Sequence, residues 1–373
     1  MDTNKQLRSI KHNFGAGPCL LPPEVFAEAS QAVLDFNDTG LSILEISHRS
    51  EEFEAVIEEA EALVRSLLDI PNDYSVMFLQ GGGSQQFAMI PLNLLAEDKT
   101  AAYLDTGIWA KKAIQEAAKI GHAEVIASSA GASYSYIPKD FIVPTDAAYL
   151  HYTSNNTVYG TEWFETPKSS VPLVADMSSD IMSKQIDVSD FGLIYAGAQK
   201  NLGPAGVTVV IMKNELVGLS GRSIPKIFDY NEHIKAKSLY HTPPVFAIYV
   251  MLLNLRWLKR LGGIAYISNK NAIKAEMLYD EIDQNPLFIG TSAREDRSRM
   301  NITFLMRDKM GGSAFLKKAD DKSRFLKLVE DNGIVGINGH RSAGGFRVSN
   351  YNALPISSMK VLVEVMQEFA RKY

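Results

Sequence analysis

The chain has 373 residues, 46% of them hydrophobic and 22% charged, a composition typical of a globular protein with a sizeable core. Its length corresponds to about two domains of ~150 residues, and its net charge of −5 gives no reason to expect nucleic acid or an anionic membrane as a partner. The single cysteine, Cys19, excludes a disulfide framework, and residues 1–8 lack the apolar core of a signal peptide. We therefore expect a cytoplasmic protein.

Seven short apolar runs in the first two thirds of the chain predict a sheet. The runs span residues 75–80, 100–105, 123–128, 148–153, 172–176, 191–196 and 207–212. Most are apolar throughout rather than alternating, as in strands that are covered on both faces. Residues 85–96 and 108–120 have helical spacing between them. The sequence therefore predicts a three-layer α/β domain.

The last third of the chain has a different character. A long helical segment opens after Pro243-Pro244 and closes at Gly262-Gly263, as N-terminal proline and C-terminal glycine predict. The predicted elements beyond it are helices at 265–284, 322–332 and 356–371 and strands at 300–306 and 346–349. We therefore expect a large domain at residues 13–260 and a smaller α+β C-terminal domain at 261–373.

A carboxylate and an amine follow two successive apolar runs. Asp176 ends the run at 172–176, and Lys200 comes soon after the run at 191–196. The carboxyl ends of neighbouring parallel strands are where an open α/β sheet binds ligands. An amine can form a Schiff base with the aldehyde of pyridoxal 5′-phosphate, and a carboxylate can hold the pyridine nitrogen protonated. The pair indicates such a site, with a surface lysine and a strand-end aspartate as the ordinary alternative.

Gly81-Gly82-Gly83-Ser84 separates a strand-like run from a helical one. Glycines let the backbone approach an anion, and the free N–H groups of a helix start favour a phosphate there. The spacing matches neither the dinucleotide nor the nucleoside triphosphate motif. A tight turn without a ligand is the alternative. Trp109, after the run at 100–105, is placed either to stack on a cofactor ring or to lie in the core.

Two histidine–arginine pairs indicate recognition of anions. They are His48-Arg49 and His340-Arg341, and Arg347 follows the second pair after a glycine-rich stretch. Arginine binds carboxylate and phosphate through two parallel hydrogen bonds, so more than one anionic group is expected, with solvated loop arginines as the alternative. The seven histidines show no metal-binding spacing.

Together these segments resemble the phosphoserine aminotransferases, class V pyridoxal-phosphate enzymes with the type I, aspartate-aminotransferase-like fold. The resemblance extends from Asn13 nearly to the C-terminus. The blocks that carry it are Ile46 to Ser50, Gly81 to Phe87, Val174 to Ser179, Gly197 to Pro204, His241 to Pro244, Gly339 to Arg341 and Gly344 to Arg347. The aspartate and lysine blocks indicate class V, and the histidine–arginine pairs indicate a phosphorylated substrate.

The resemblance implies a role for each matching residue. Lys200 would carry the cofactor and move the substrate α-proton, and Asp176 would pair with the ring nitrogen. The implied cofactor contacts are Gly83, Ser84 and Gln199 at the phosphate, Trp109 on the ring, Thr157 near the ring hydroxyl, and His241 and Thr242 from the neighbouring subunit. The implied substrate contacts are His48, Arg49 and Arg347, with His340 and Arg341 supplied by the partner subunit. A homodimer with shared active sites follows.

The implied reaction is a ping-pong amino transfer from glutamate to 3-phosphohydroxypyruvate, which yields 2-oxoglutarate and O-phospho-L-serine for serine biosynthesis. Whether 4-phosphohydroxy-L-threonine of vitamin B6 synthesis is a second substrate stays open. Three positions depart from the family: many relatives have asparagine for His241 and arginine for Ser84, and some have serine for Ala16. Each departure leaves one family contact without its usual residue.

Other functions fit the sequence less well. A cysteine desulfurase needs a cysteine on a mobile loop, and Cys19 is badly placed for that. A serine–glyoxylate aminotransferase would not need all the arginines of the 340–347 region. A non-catalytic pyridoxal-phosphate-binding regulator would be expected to carry a DNA-binding module. A nicotinamide-dependent dehydrogenase lacks its dinucleotide motif here.

Overall fold

The computed structural model describes residues 11–307 and 319–372, with the side chains of residues 319 and 320 left out. The prediction about a signal peptide concerns residues 1–8, which lie outside these ranges. Within the ranges, no helix has both the length and the apolarity that crossing a bilayer would require.

The central sheet has seven strands, and each of the seven predicted runs is one of them. After β1 (His12–Asn13), they are β2 (Tyr74–Leu79), β3 (Thr100–Asp105), β4 (His122–Ser128), β5 (Tyr149–Thr153), β6 (Leu173–Asp176), β7 (Leu193–Gly197) and β8 (Thr208–Lys213). Their order is β2-β8-β7-β6-β5-β3-β4. Strands β3 to β7 pair in parallel, whereas β8 runs antiparallel to both neighbours. Residues 198–207, which join β7 to β8, are too few for the crossover of about a dozen residues that a parallel pair needs.

Helices cover both faces of this sheet. They are α1 (Pro23–Leu34), α2 (Glu51–Leu68), α3 (Gly82–Leu94), α4 (Ile108–Ala117), α5 (Tyr230–Lys235) and α6 (Val245–Arg260). The next helix, α7 (Gly263–Gln284), packs mainly against the C-terminal part of the chain. One hydrophobic core joins α1, α2 and α6 to the sheet, and another joins α3 and α4 to its other face. Burying each large apolar side chain in such a core stabilises the fold by about 1.5–3 kcal/mol. The predicted three-layer α/β architecture is therefore confirmed.

A second, smaller sheet stands in the C-terminal part. Its order is β12-β10-β9, all antiparallel, and the remaining elements surround it: β9 (Phe288–Gly290), β10 (Asn301–Met306), α8 (Ala319–Asp331), β11 (Ile334–Val335), β12 (Phe346–Ser349) and α9 (Ile356–Lys372). Its core is rich in phenylalanine and includes Phe14, because β1 pairs with β11. The predicted elements of this part are confirmed, and the division into residues 13–260 and 261–373 stays a prediction.

The sheet brings the predicted chemistry to one edge. Strands β6 and β7 are parallel neighbours, with Asp176 opposite Tyr195, so Asp176 and the segment that carries Lys200 leave the sheet at the same end. The turn from β2 into α3 also lies there. Gly81 starts that turn with φ +85°, and a Cβ at this position would stand 2.0 Å from the Gln85 side chain. Only glycine fits this turn.

Candidate active site

A cavity of about 460 Å³ opens at the carboxyl edge of the sheet, within the range of about 300–1,000 Å³ that is usual for small-molecule sites. Nine of the residues that the sequence singled out line it: Gly83, Ser84, Trp109, Thr157, Asp176, Gln199, Lys200, His340 and Arg347. They come from seven separate segments of the chain, from the first turn of α3 to the start of β12. The tertiary structure thus joins most of the predicted set in one chain.

The Lys200 amine lies in this cavity with its side chain almost wholly buried. Its Nζ donates hydrogen bonds to Thr157 Oγ1 at 2.7 Å and to Ser179 Oγ at 2.6 Å. Burial lowers the pKa of Lys200 to about 8, although the nearby Asp176 carboxylate opposes part of that shift. A substantial fraction of the amine is therefore neutral near physiological pH, the state in which an amine acts as a nucleophile or takes up a proton.

This lowered pKa predicts how Lys200 reacts in the cofactor-free protein. Because only the neutral amine is acylated, labelling of Lys200 should rise with pH around a midpoint of about 8, well below the ordinary value of 10.5. The measurement is competitive labelling with acetic anhydride across pH, read by peptide mass spectrometry, with exposed Lys119 as an internal reference. The Arg347→Gln variant should move the midpoint upward, since the Arg347 charge contributes to the shift. A wild-type midpoint near 10.5 would contradict the buried position of the amine.

The Asp176 carboxylate lies on the floor of the cavity, 6% exposed. Its Oδ1 accepts a hydrogen bond from the Ser178 backbone N–H at 3.0 Å. Burial raises the pKa of Asp176, and hydrogen bonds from Ser178 together with the charge of Lys200 oppose that rise. No ion pair among the described residues includes Asp176, so its carboxylate is available to pair with a cationic group of a ligand.

The start of α3 forms the opposite wall. Gly83 and Ser84 lie in its first turn, where the backbone N–H groups have no partner within the helix, and Gln199 faces the same space. Such a helix start favours a phosphate. Trp109, from the first turn of α4, lines the cavity, and its buried Nε1 has no hydrogen-bond partner.

Cationic and hydrogen-bond-donating side chains line the side of the cavity toward the small sheet. Arg347 donates only a long hydrogen bond, 3.5 Å, to the Thr157 carbonyl, and its buried Nε has no partner. Burial lowers the pKa of Arg347, and none of the ion pairs in the described part of the chain involves it. His340 Nδ1 accepts from the Ser342 N–H at 3.2 Å, which leaves Nε2 as the protonated nitrogen of the neutral ring. Burial and the adjacent Arg347 charge lower the pKa of His340 and keep it neutral.

His340 lines the cavity of its own chain. The prediction that His340 is supplied by a partner subunit stays a prediction. The segment from Gly339 to Gly345 closes on itself through a backbone hydrogen bond of 3.1 Å. This turn brings His340 to the side on which Arg347 emerges from β12.

Five predicted residues lie outside this cavity in the same chain: His48, Arg49, His241, Thr242 and Arg341. His241 borders a separate cavity of about 200 Å³ beside His233, with the two rings 5.7 Å apart. Burial lowers the pKa of His241, and the nearby His233 and His48 add to that shift. Arg49, Thr242 and Arg341 are exposed. The chain by itself does not bring this set to Lys200.

The sequence interpretation missed several residues of the site. Ser179 binds Lys200, Ser178 binds Asp176, and Thr153 lines the cavity with a buried hydroxyl that has no partner. The sequence could have indicated these residues, because all three stand at or just beyond the carboxyl end of a predicted strand at this edge of the sheet. Asn155 also lines the cavity, but its side chain is held by Asn301 at 2.7 Å, a pairing that no sequence pattern indicates.

Pyridoxal phosphate fits this arrangement. The cavity offers an amine, a buried carboxylate without an ion-pair partner and a helix start, which match its aldehyde, ring nitrogen and phosphate. Three of the lining residues also have a buried polar atom without a partner, namely Trp109 Nε1, Thr153 Oγ1 and Arg347 Nε. Buried polar groups are normally paired, so these atoms indicate that a ligand completes the site.

Comparison with known proteins defines the class. The family model of the class V aminotransferases matches residues 11–354. The chain therefore belongs to the class V aminotransferases, and it is an enzyme of that class. Its place there confirms the enzyme class that the sequence predicts.

The particular relatives are phosphoserine aminotransferases, as the resemblance implied. The chain is 54% identical over 361 residues to the one from Bacteroides thetaiotaomicron, with 97% of this chain and 99% of the relative covered. It is 54% identical over 363 residues to the one from Flavobacterium psychrophilum, with the same coverage. Relatives this similar over their whole length assign the chain to the phosphoserine aminotransferase family.

Solved structures agree. The phosphoserine aminotransferase from Bacillus circulans subsp. alkalophilus matches with a TM-score of 0.92 and 45% identity, covering 97% of this chain and 99% of that one. The one from Trichomonas vaginalis, solved with pyridoxal phosphate bound, matches with a TM-score of 0.89 and 34% identity, covering 96% and 100%. These matches confirm the predicted fold type.

Proposed function

We propose that this enzyme transfers an amino group between glutamate and 3-phosphohydroxypyruvate with pyridoxal phosphate as cofactor, giving O-phospho-L-serine and 2-oxoglutarate for serine biosynthesis. The observation that carries the proposal is the cavity in which an amine and a buried carboxylate face Arg347, a cation without an acidic partner. The names of the full-length relatives support the same substrate. A cytoplasmic location is part of the proposal and is supported by the single cysteine.

The cofactor would be held by residues that already line the cavity. Gly83, Ser84 and Gln199 would bind its phosphate, Trp109 would cover its ring, and Thr157 would lie near its hydroxyl. When bound, it supplies an aldehyde for the lysine and a ring that accepts electrons from the substrate. Asp176 would hold a proton on the ring nitrogen, because a buried carboxylate without another cation gains most from that partner.

Lys200 would move the substrate proton. Its amine stands among two hydroxyls in a buried cavity, and its lowered pKa of about 8 lets it take and return a proton near neutral pH. Arg347 and the Nε2–H of His340 would bind the anionic groups of the substrate. Because both line the same cavity as Lys200, binding these groups there would bring the substrate α-carbon to Lys200.

The remaining predicted residues support a homodimer. His48, Arg49, His241 and Thr242 match family site residues, yet they lie outside the cavity of their own chain. We propose that they face the cavity of a second copy, where Arg49 would add a substrate cation and His241 and Thr242 would reach the cofactor phosphate. Arg341, exposed on the loop of His340, would stand at the mouth of its own cavity.

The test is a half-reaction with the amino-acid product. The protein is reconstituted with pyridoxal phosphate, and its visible absorption is recorded before and after addition of O-phospho-L-serine, with L-serine as the matched substrate. We expect phosphoserine to convert the cofactor at a concentration about 30-fold or more below that of serine, since a buried anion–cation contact is worth about 2 kcal/mol or more. 4-Phosphohydroxy-L-threonine carries the same groups and is tested in the same way.

A pair of arginine variants sharpens the result. Arg347→Gln removes the cation of the cavity, whereas Arg294→Gln removes an exposed arginine that pairs with Asp283 at 3.2 Å on the surface. Arg347→Gln should abolish the preference for phosphoserine or weaken the binding of both amino acids. Arg294→Gln should change neither the preference nor the binding. Absence of any cofactor band after reconstitution would contradict the proposal. Equal conversion by serine would contradict the phosphorylated substrate.

A further inference from the structure

Two fully buried side chains stand behind Asp176 and have no part in the function described so far. His151 on β5 and Tyr195 on β7 flank β6, which ends at Asp176, and they are 1% and 0% exposed. Asp176 is opposite Tyr195 on one side and opposite Thr153 on the other, and His151 is two residues before Thr153. Side chains two residues apart on a strand share a face, so His151, Asp176 and Tyr195 all project to the same side of the sheet.

The three side chains lie in a row, with His151 hydrogen-bonded to Tyr195 and Tyr195 beside Asp176 on the neighbouring strand. His151 Nε2 and the Tyr195 hydroxyl are 2.9 Å apart. Tyr195 is the strand partner of Asp176, and its side chain acts on the buried carboxylate, lowering the pKa of Asp176 against the rise that burial causes. The ring of Tyr103 packs against the His151 ring with centroids 5.0 Å apart, so the imidazole has little freedom to turn. The row leads from the interior of the sheet to the floor of the cavity.

The surroundings of the other ring nitrogen, Nδ1, indicate which nitrogen of His151 carries the proton. His151 Nδ1 is buried and has no hydrogen-bond partner. A buried N–H without an acceptor is costlier than a buried lone pair without a donor, so the proton of the neutral ring is on Nε2. Burial lowers the pKa of His151 to about 3, which keeps the ring neutral. Nε2–H therefore donates to the Tyr195 oxygen, and the Tyr195 O–H is left to donate to Asp176.

We propose that His151 and Tyr195 are positioning residues for the ring nitrogen of the cofactor, acting through Asp176. The Tyr195 O–H holds the carboxylate ionised and in one orientation, and the His151 N–H holds Tyr195 in the donating role. This inference rests on the proposed function, because it assumes that Asp176 receives the protonated ring nitrogen.

The ionisation state of Asp176 explains why a hydrogen bond from Tyr195 would matter. Burial favours the protonated carboxyl, and a protonated Asp176 would have no charge to offer the ring nitrogen. A hydrogen bond donated to the ionised form counteracts burial. Hydrogen bonds to charged groups change an equilibrium by about 10- to 150-fold, so loss of the Tyr195 hydroxyl should be measurable in cofactor binding.

The experiment compares two cofactors in matched tyrosine variants. Tyr195→Phe removes the hydroxyl that reaches Asp176. Tyr149→Phe removes an equally buried hydroxyl, hydrogen-bonded to Tyr103 at 2.7 Å, that does not contact Asp176. Dissociation constants are measured for pyridoxal phosphate and for its deaza analogue, in which carbon replaces the ring nitrogen. We expect Tyr195→Phe to lower the preference for pyridoxal phosphate over the analogue about 10-fold or more, and Tyr149→Phe to leave it unchanged.

A second pair of variants tests the direction of the row and does not depend on Tyr195→Phe folding. His151→Gln places an amide N–H where Nε2–H stood, whereas His151→Leu has no donor. The leucine variant should lower the same preference, and the glutamine variant should retain most of it. Because the preference is a ratio of two affinities in one sample, a partly unfolded fraction cancels.

Each outcome has one meaning. Equal ratios in wild type, Tyr195→Phe and His151→Leu would overturn the inference while leaving the proposed function intact. A wild-type protein that binds neither cofactor would overturn the proposed function itself. A ratio that falls as much in Tyr149→Phe as in Tyr195→Phe would show a general packing effect and would also overturn the inference.

Discussion

Replacing Lys200 by alanine is expected to reduce steady-state turnover by about 10⁴-fold, the upper end of what a positioned acid–base group contributes. The reason is that one amine serves twice in the proposed reaction, as the anchor of the cofactor and as the carrier of the substrate proton. Lys200 lines the cavity, and its amine donates hydrogen bonds to Thr157 and Ser179. The measurement is multiple-turnover transamination between glutamate and 3-phosphohydroxypyruvate.

Two further variants test whether activity depends on the amine of Lys200 itself, and not only on its positive charge or on the overall integrity of the protein. Lys200→Arg keeps a cation but has no amine that is neutral near pH 8, so it should be as inactive as the alanine variant. Lys119→Ala, on the surface of the chain, should be fully active. Added methylamine should restore part of the activity of Lys200→Ala, because a small amine can enter the vacated space. Multiple turnovers by Lys200→Ala without an added amine would refute the role of this lysine.

Replacing Asp176 by asparagine is the second change with a large expected effect. The amide keeps the shape of the side chain but removes the charge that would hold a proton on the ring nitrogen. We expect cofactor binding to be retained and kcat to fall about 10²- to 10³-fold, as for loss of one preorganised electrostatic group. Proton removal from the substrate α-carbon should become slower, so the isotope effect with α-deuterated glutamate should increase.

Asp180→Asn is the matched control. Asp180 is as buried as Asp176 and follows it on the same segment, but its carboxylate forms an ion pair with Lys184 at 3.3 Å outside the cavity. Lys184 keeps Glu162 as an ion-pair partner at 2.9 Å, so no uncompensated charge is left, and this variant should lose some thermal stability while keeping most of its activity. An unchanged rate of proton removal in Asp176→Asn would mean that the ring nitrogen has another partner.

The elements and much of the site could be predicted because local patterns encode them. Strands β5, β6 and β7 are continuous apolar runs, as strands covered on both faces require, and the helices show their 3.6-residue spacing. Asp176 and Lys200 could be picked out because polar residues at the carboxyl ends of parallel strands meet at one edge. The antiparallel direction of β8 was not predicted, since strand direction depends on how the connection crosses the sheet.

Contacts between distant segments were beyond the sequence pattern. The sequence singled out His340 and Arg347 as anion-binding residues, but only the closed turn of residues 339–345 brings His340 to the same cavity as Arg347. Ser179 gained a role only through its contact with the Lys200 amine. Short-range patterns report which face of an element is buried, and they carry no distance between side chains far apart in the chain.

The sequence by itself determined the three-layer fold, the amine and the carboxylate of the cavity and the glycine turn that leads into α3, because each follows from local periodicity, from a strand end or from glycine geometry. Only the tertiary structure decided the ionisation of these groups and the row of His151 and Tyr195 behind Asp176. The pKa of Lys200 falls to about 8 because packing removes water from its amine. The row from His151 through Tyr195 exists because three strands set their side chains on one face, with His151 and Tyr195 at hydrogen-bonding distance, a register that arises only when the sheet forms.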